Sequence, residues 1–130
     1  MKRFKIPWTV FAAAAILVVF SASAPAMEMG FDVTPKAKLV KLNLQQKDLI
    51  KNSSEKMVVF DITLRNTDSV ANLYSITVVI PGVGAAEDFI PVEGEKNLAP
   101  NAEAKTSIGI ALDKFPPKGF DIRIDAVESR

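Results

Sequence analysis

Four acidic residues form the densest set of side chains in the sequence that could do chemistry. They are Glu87, Asp88, Glu93 and Glu95. Calcium takes roughly six to eight oxygen ligands, so carboxylates at this density could contribute to a calcium site. Their spacing lacks the regular alternation of acidic residues, and the glycine, of a calcium-binding loop. We therefore favour a solvated acidic rim, whose charge discourages edge-to-edge pairing of strands, and expect no metal site.

Other charged residues alternate with apolar ones in two later segments. They are Asp61, Arg65, Asp121, Arg123 and Asp125. Two carboxylates on one face could in principle act as acid and base. A flat, water-exposed sheet face offers no burial that would adapt them to catalysis. We therefore predict ordinary cross-strand ion pairs at these positions.

Histidine and cysteine are absent from the whole chain. A Ser-His-Asp triad, a Cys-His pair and a thiolate or imidazole metal site therefore cannot be built. The glycine-containing stretch 82–87 lacks the third glycine and the following helix of a phosphate-binding loop, so it predicts a hairpin loop. The sequence predicts no catalytic residue, no cofactor and no enzyme.

The first 26 residues predict a cleavable export signal. The chain opens with three basic residues, Lys2, Arg3 and Lys5. An almost entirely apolar run follows over residues 8–20, and Ala24 and Ala26 provide the small residues before a cut after Ala26. The alternative, an uncleaved anchor, would need about 20 apolar residues to span a membrane. We expect residues 1–26 to be a signal peptide and residues 27–130 to be one domain, exported to the periplasm or the extracellular space.

Removal of this leader changes the charge balance. It takes away three of the 16 basic residues and none of the 15 acidic ones, which leaves 13 against 15 and a net charge near −2. Nucleic-acid binders carry a basic surface, so no nucleic-acid partner is expected. No polybasic membrane patch remains either, and we expect no stable membrane insertion after cleavage. Without cysteines, the hydrophobic core must hold the fold by itself.

Alternation of apolar and polar residues dominates the chain from residue 57 onward. Over residues 57–65, Val58, Phe60, Ile62 and Leu64 fall on one side, as a β-strand requires. Similar patterns predict strands over residues 38–44, 73–80, 88–92, 105–112 and 120–127, with a short first strand at 31–33. In the segment 38–44, Val40 is expected to face inward. Residues 45–56 are compatible with a long loop or a helical turn.

These elements predict an all-β domain of six to seven mostly antiparallel strands. Each strand has one apolar and one polar face, so two sheets packed face to face, a β-sandwich, would bury the apolar sides. A single closed barrel is the alternative. Leu98, in the loop 94–104, is expected to be an apolar plug.

The stretch from Val58 to Leu112 resembles a bacterial or archaeal immunoglobulin-like domain of the cell-adhesion-related type. The resemblance rests on a strand that ends in Asn66-Thr67, a strand that ends at Pro81, and the sequence Leu98-Ala99-Pro100-Asn101-Ala102-Glu103. Such families usually have glycine where Asn101 stands, and asparagine tolerates the left-handed conformation of that turn. The resemblance implies an immunoglobulin-like sandwich that serves as a structural or binding unit, with no shared catalytic residues.

Two functions are compatible with these features. The first is an exported, non-enzymatic protein-binding or assembly module, such as a small subunit of a cell-envelope or extracellular complex. Its partner would be another exported protein or a second copy, bound at an edge strand through Phe89, Ile90 and Val92, since consecutive apolar residues are unusual on a solvated edge. The alternative is a soluble periplasmic carrier of a small ligand or metal ion, with a pocket between the sheets or at the acidic loop.

Overall fold

The computed structural model describes residues 2–6, 17–20, 27–50, 54–92 and 94–127. These residues form strands and no helix, and so include no helix that is long and apolar enough to cross a membrane. The strands are β1 (Lys2–Ile6), β2 (Leu17–Phe20), β3 (Met27–Val33), β4 (Ala37–Asp48), β5 (Lys56–Asn66), β6 (Leu73–Ile80), β7 (Gly84–Ile90), β8 (Glu103–Ala111) and β9 (Gly119–Val127). Apart from β1 and β2, the predicted leader lies outside the described residues.

The strands form two separately paired sheets, which confirms the predicted all-β sandwich. One sheet has the order β3-β9-β6-β7 and the other has the order β4-β5-β8. β1 extends the first sheet beyond β3, and β2 extends the second beyond β4. Most neighbours are antiparallel, as predicted, whereas β3 runs parallel to β9 and β2 runs parallel to β4.

The core lies between the inward faces of the two sheets. Phe60 of β5 contacts Phe120 of β9 in an edge-to-face arrangement, with ring centroids 5.1 Å apart, and thereby joins the two sheets at their centre. Phe31 of β3 packs on the same Phe120 ring at 6.2 Å. Leu98 is buried as predicted. The apolar residues that alternate in the sequence supply most of this interior.

The structure corrects three local predictions, because strand pairing extends beyond the sequence pattern. The segment 45–56 is not a loop throughout, since β4 continues to Asp48 and pairs there with Lys56 at the start of β5, while residues 51–53 lie outside the described residues. The pairing of β4 with β5 shifts between Leu39 and Lys41, so Leu39 is buried and Val40 is only half-buried. The hairpin predicted at 82–87 is present but shorter, because its turn is confined to residues 81–83 and β7 begins at Gly84.

Gly119 permits the close approach of β3 to β9. A Cβ atom at this position would lie 2.8 Å from the backbone oxygen of Glu28, which is closer than a carbon atom can approach without displacing the strand. The Glu28 amide donates a hydrogen bond to the oxygen of Lys118 at 3.2 Å. A glycine at the start of β9 therefore allows β3 to be held there.

We expect Gly119→Ala to destabilise the domain by about 1–3 kcal/mol, because the added methyl group pushes the start of β3 away from β9. Urea denaturation measures the loss, and faster hydrogen exchange of the Glu28 and Gly30 amides would locate it. Gly84→Ala is the matched control, since its Cβ would meet the Ile110 side chain at an ordinary 3.5 Å. Equal stability of the Gly119→Ala and wild-type proteins would contradict this account.

Candidate functional site

The predicted binding stretch lies in and just after β7, the outer strand of its sheet in the described part of the chain. The Ile90 side chain is buried in the core, and Phe89 is half-buried. Val92, after the strand, is 47% exposed. Only Val92 of the three predicted residues is therefore largely accessible to a partner in this conformation.

β8, at the border of the other sheet, runs alongside β7. The Thr106 hydroxyl of β8 donates a hydrogen bond to the Asp88 carboxylate of β7 at 2.6 Å. Near the opposite end of the two strands, the Cβ position of Gly84 lies 3.5 Å from a methyl group of Ile110. The two sheets thus approach each other along this side of the sandwich.

The acidic residues near β7 do not gather around a common point. Asp88 also accepts a hydrogen bond from the Phe89 amide at 2.8 Å, and Glu87 accepts one from the Thr77 hydroxyl at 3.4 Å. Glu93 lies outside the described residues. Among the described residues, no group of three or more carboxylates is arranged to hold a metal ion.

The outward-facing charges form local pairs on exposed strand faces. Arg65 pairs with Glu103 on the neighbouring strand, and Arg123 pairs with Asp125 at 2.8 Å and approaches Asp32 at 4.0 Å. Exposed pairs of this kind contribute less than about 1 kcal/mol each. The Arg65–Glu103 pair is a cross-strand pair as expected, whereas the close partner of Arg123 lies on its own strand and Asp121 is half-buried.

Asp61 has a different environment from the one that the sequence suggested. Its carboxylate accepts hydrogen bonds from the side-chain amides of Asn43 at 3.2 Å and Gln45 at 2.8 Å, and from the Ser107 hydroxyl. Three neutral donors on the two adjacent strands therefore occupy the oxygens of this side chain.

A polar network centred on Asn66 holds together the end of the sandwich where β5 ends. The Asn66 side chain, which is fully buried, donates to the oxygens of Val70 at 2.9 Å and Leu98 at 2.7 Å, and accepts from the Asp68 amide at 2.7 Å. Asn101 adopts the left-handed conformation expected of it, with φ of 65°. Asn66 and the segment 98–103 thus meet at this end, whereas Pro81, the third feature of the immunoglobulin-like resemblance, lies at the other end.

Tyr74 and Asn72 extend the network across the sandwich. The Tyr74 hydroxyl donates to the backbone oxygen of Lys36 at 2.6 Å, and the side-chain amide of Asn72 donates to the Asp68 carboxylate at 3.0 Å. Burial raises the pKa of Tyr74 above its ordinary value. The hydrogen bond from Asn72, together with the one from the Ser69 amide, lowers the pKa of Asp68.

The outer borders of β3 and β4 are the sites of strand addition within this chain. β1 pairs antiparallel with β3 from Met27 to Phe31, and β2 pairs parallel with β4 from Lys41 to Leu44. Only the three-residue segment 34–36 joins β3 to β4, so both borders lie on the same side of the sandwich. The sequence did not identify this side, because strand order depends on pairing between distant segments.

An apolar pocket at the end of the sandwich opposite Asn66 was also missed. It lies where the β6–β7 turn, the segment 112–118 and the start of β3 meet, and it has a volume of about 500 Å³. The sequence offers Pro81 and the pair Pro116-Pro117 as separate breaks in the strand pattern, and no local pattern shows that they meet.

Comparison with known proteins gives no relative on which to base a function. A scan of protein-family models, a search of curated proteins and a search of solved structures each found no match to this chain.

We expect Asn66→Ala to lower the free energy of unfolding by about 1–3 kcal/mol, because it removes three hydrogen bonds of a fully buried side chain. The loss is limited because the oxygens of Val70 and Leu98 also accept hydrogen bonds from Asn72. Chemical denaturation of the two proteins measures the difference. Asn43→Ala, which removes a partly exposed hydrogen bond to Asp61, is the control and should cost less than about 1 kcal/mol. Similar losses for the two variants would argue against a special role for the buried network.

The two pKa shifts predict changes in stability at opposite ends of the pH range. Because the folded-state pKa of Asp68 is depressed, its stabilising contribution is present above its ordinary value of 3.8 and is lost as the pH falls below it. Because the folded-state pKa of Tyr74 is raised, its contribution is present below its ordinary value of 10.0 and is lost as the pH rises above it.

Unfolding free energies measured across pH should therefore show a shallower acid limb for Asp68→Asn and a shallower alkaline limb for Tyr74→Phe than for the wild type. Tyr74→Phe should leave the acid limb unchanged. Asp68→Asn should change the alkaline limb only slightly, because burial, rather than the charge of Asp68, is the main cause of the Tyr74 shift. Parallel profiles for all three proteins would contradict the assigned shifts.

Proposed function

We propose that the domain is a non-enzymatic protein-binding or assembly module that accepts a β-strand from its partner along the outer borders of β3 and β4. The observation that carries this proposal is the addition of β1 to β3 and of β2 to β4. Unpaired backbone groups at a sheet border are a ready template for another strand. Removal of the predicted leader, residues 1–26, would open both borders together.

The hydrogen bonds of β3 identify which of its groups would meet a partner. The Glu28 amide donates to the oxygen of Lys118, the residue just before β9. The Thr34 amide donates to the oxygen of Ile124 in β9. Successive amides of a strand point to opposite sides. The even-numbered amides of β3 therefore face β9, and those of Met29 and Phe31 face the outer border.

The same reasoning applies to β4. The Leu49 amide donates to the Glu55 oxygen at 2.8 Å, which places the odd-numbered amides of the adjoining part of β4 toward β5. The amides of Leu44 and Gln46 then face outward. Gln46 also has an exposed side chain, so its backbone can be altered with little effect on the core.

The partner in this proposal is another envelope or extracellular protein, or a second copy of the chain. Export and the immunoglobulin-like relationship remain predictions from the sequence. The stretch at Phe89, Ile90 and Val92 remains a second possible contact, on the opposite side of the sandwich, and the experiment below separates the two.

Gln46→Pro tests strand addition directly, because proline removes one outward amide and is tolerated where the amide faces solvent. A photo-crosslinking residue placed at exposed Lys47 should capture a specific protein in intact cells. We expect Gln46→Pro to abolish that crosslink, whereas Gln46→Ala, which keeps the amide, should preserve it. Mass spectrometry identifies the captured protein, and denaturation confirms that both variants are folded.

A second crosslinking residue at Val92 reports on the predicted β7 contact. Crosslinks from Val92 that are insensitive to Gln46→Pro, with none from Lys47, would move the binding site to β7. Recovery of the folded protein as a lone monomer with no crosslink from either position would contradict the proposed assembly function.

A further inference from the structure

The pocket at the end of the sandwich has an apolar wall made by three separate segments. Its apolar lining consists of Ile80, Pro81, Val83, Leu112, Pro116 and Pro117. Its volume of about 500 Å³ falls within the roughly 300–1,000 Å³ usual for small-molecule sites. Val83 is 50% exposed, so apolar surface is accessible from solvent.

The prolines restrict the chemistry that this wall can offer. Proline has no backbone N–H, so Pro81, Pro116 and Pro117 contribute ring carbons without adding amide donors. A polar ligand placed against them would lose hydrogen bonds to water without replacing them. The wall therefore favours an aliphatic group.

Two lysines add positive charge to the apolar wall. Lys114 and Lys118 both line the pocket, and neither forms an ion pair with another described residue. Glu28 is the acidic residue in the lining and opposes part of this charge. The pocket thus combines aliphatic surface with an excess of cationic groups.

We propose that this pocket binds a single-chain anionic amphiphile, a free fatty acid, with its tail against Val83 and the prolines and its carboxylate near Lys114 and Lys118. The site shares only Glu28 with β3 and no residue with β4, so the proposal does not depend on strand addition. This proposal places the ligand at the end of the sandwich. The sequence had suggested a ligand pocket between the sheets or at the acidic loop instead.

Calorimetric titration with hexanoate, octanoate and decanoate, each below its micelle-forming concentration, tests the proposal. Each added methylene should tighten binding about fourfold until the tail fills the pocket. Octylammonium, with the same tail and the opposite charge, should bind at least tenfold more weakly than octanoate. Chemical-shift changes at the methyl groups of Val83 and Leu112 would locate the ligand.

Variants separate the contributions of tail and head group. Val83→Asp should abolish octanoate binding. Val70→Asp, which alters a similarly exposed valine at the opposite end, should leave it unchanged. Lys114→Ala and Lys118→Ala should each weaken binding about two- to fivefold. Glu28→Gln should strengthen it, and Lys105→Ala, on a distant strand face, should have no effect.

Several results would overturn the proposal. These are no octanoate binding at millimolar concentration, equal binding of octylammonium, no dependence on chain length, or full binding by Val83→Asp. Binding to phosphatidylglycerol vesicles without binding to free fatty acids would instead assign the surface to a membrane. Because the titration needs no protein partner, its failure is distinguishable from failure of the assembly function.

Discussion

The structure depends on the mutual burial of the two inward sheet faces, centred on the contact between Phe60 and Phe120. Neither sheet can leave its apolar face in water, and the chain has no cysteine with which to supplement the core. Packing the two sheets face to face removes these apolar faces from water. The borders of the sheets and the two ends of the sandwich remain to be closed in other ways, and those places are where binding can occur.

The two ends are closed by different chemistry. At one end, the Asn66 side chain ties the turn that follows it, at Asp68 and Val70, to the distant Leu98. At the other, prolines and aliphatic residues surround a pocket and leave it partly open. A saturated polar network offers little to a ligand, because its donors and acceptors are already occupied. The apolar end retains surface that a ligand could cover.

Sequence reasoning succeeded where local alternation decides the structure. The strands around Phe60, Ile76 and Ile122 were predictable, because one side of each must enter the core. The sequence pattern gave the wrong orientation for Val40, because the shift in pairing between β4 and β5 reverses the alternation there. It also missed the end of β4, which continues through polar residues to Asp48 because it pairs with β5. The parallel placement of β3 beside β9 was not accessible, since no local pattern identifies a partner 90 residues away.

The candidate sites, like the strands, were predictable only where neighbouring residues in the sequence decide them. The position of Val92 near an outer strand was visible as apolar residues beside a proline, but the approach of β8 to β7 was not. The pocket residues come from three segments that are distant in the sequence, so their proximity emerges only from the fold. Residue type therefore indicated which groups could bind, and topology determined which of them share a surface.

The parallel pairing of β3 with β9 has a mechanical consequence. Because these are the first and last of the seven sandwich strands, a pull applied at Met27 and Val127 acts along the two neighbouring strands in opposite directions. Such a load shears their hydrogen bonds together, whereas a hairpin pulled from its open end unzips one bond at a time. Tension between these two ends therefore meets several hydrogen bonds at once.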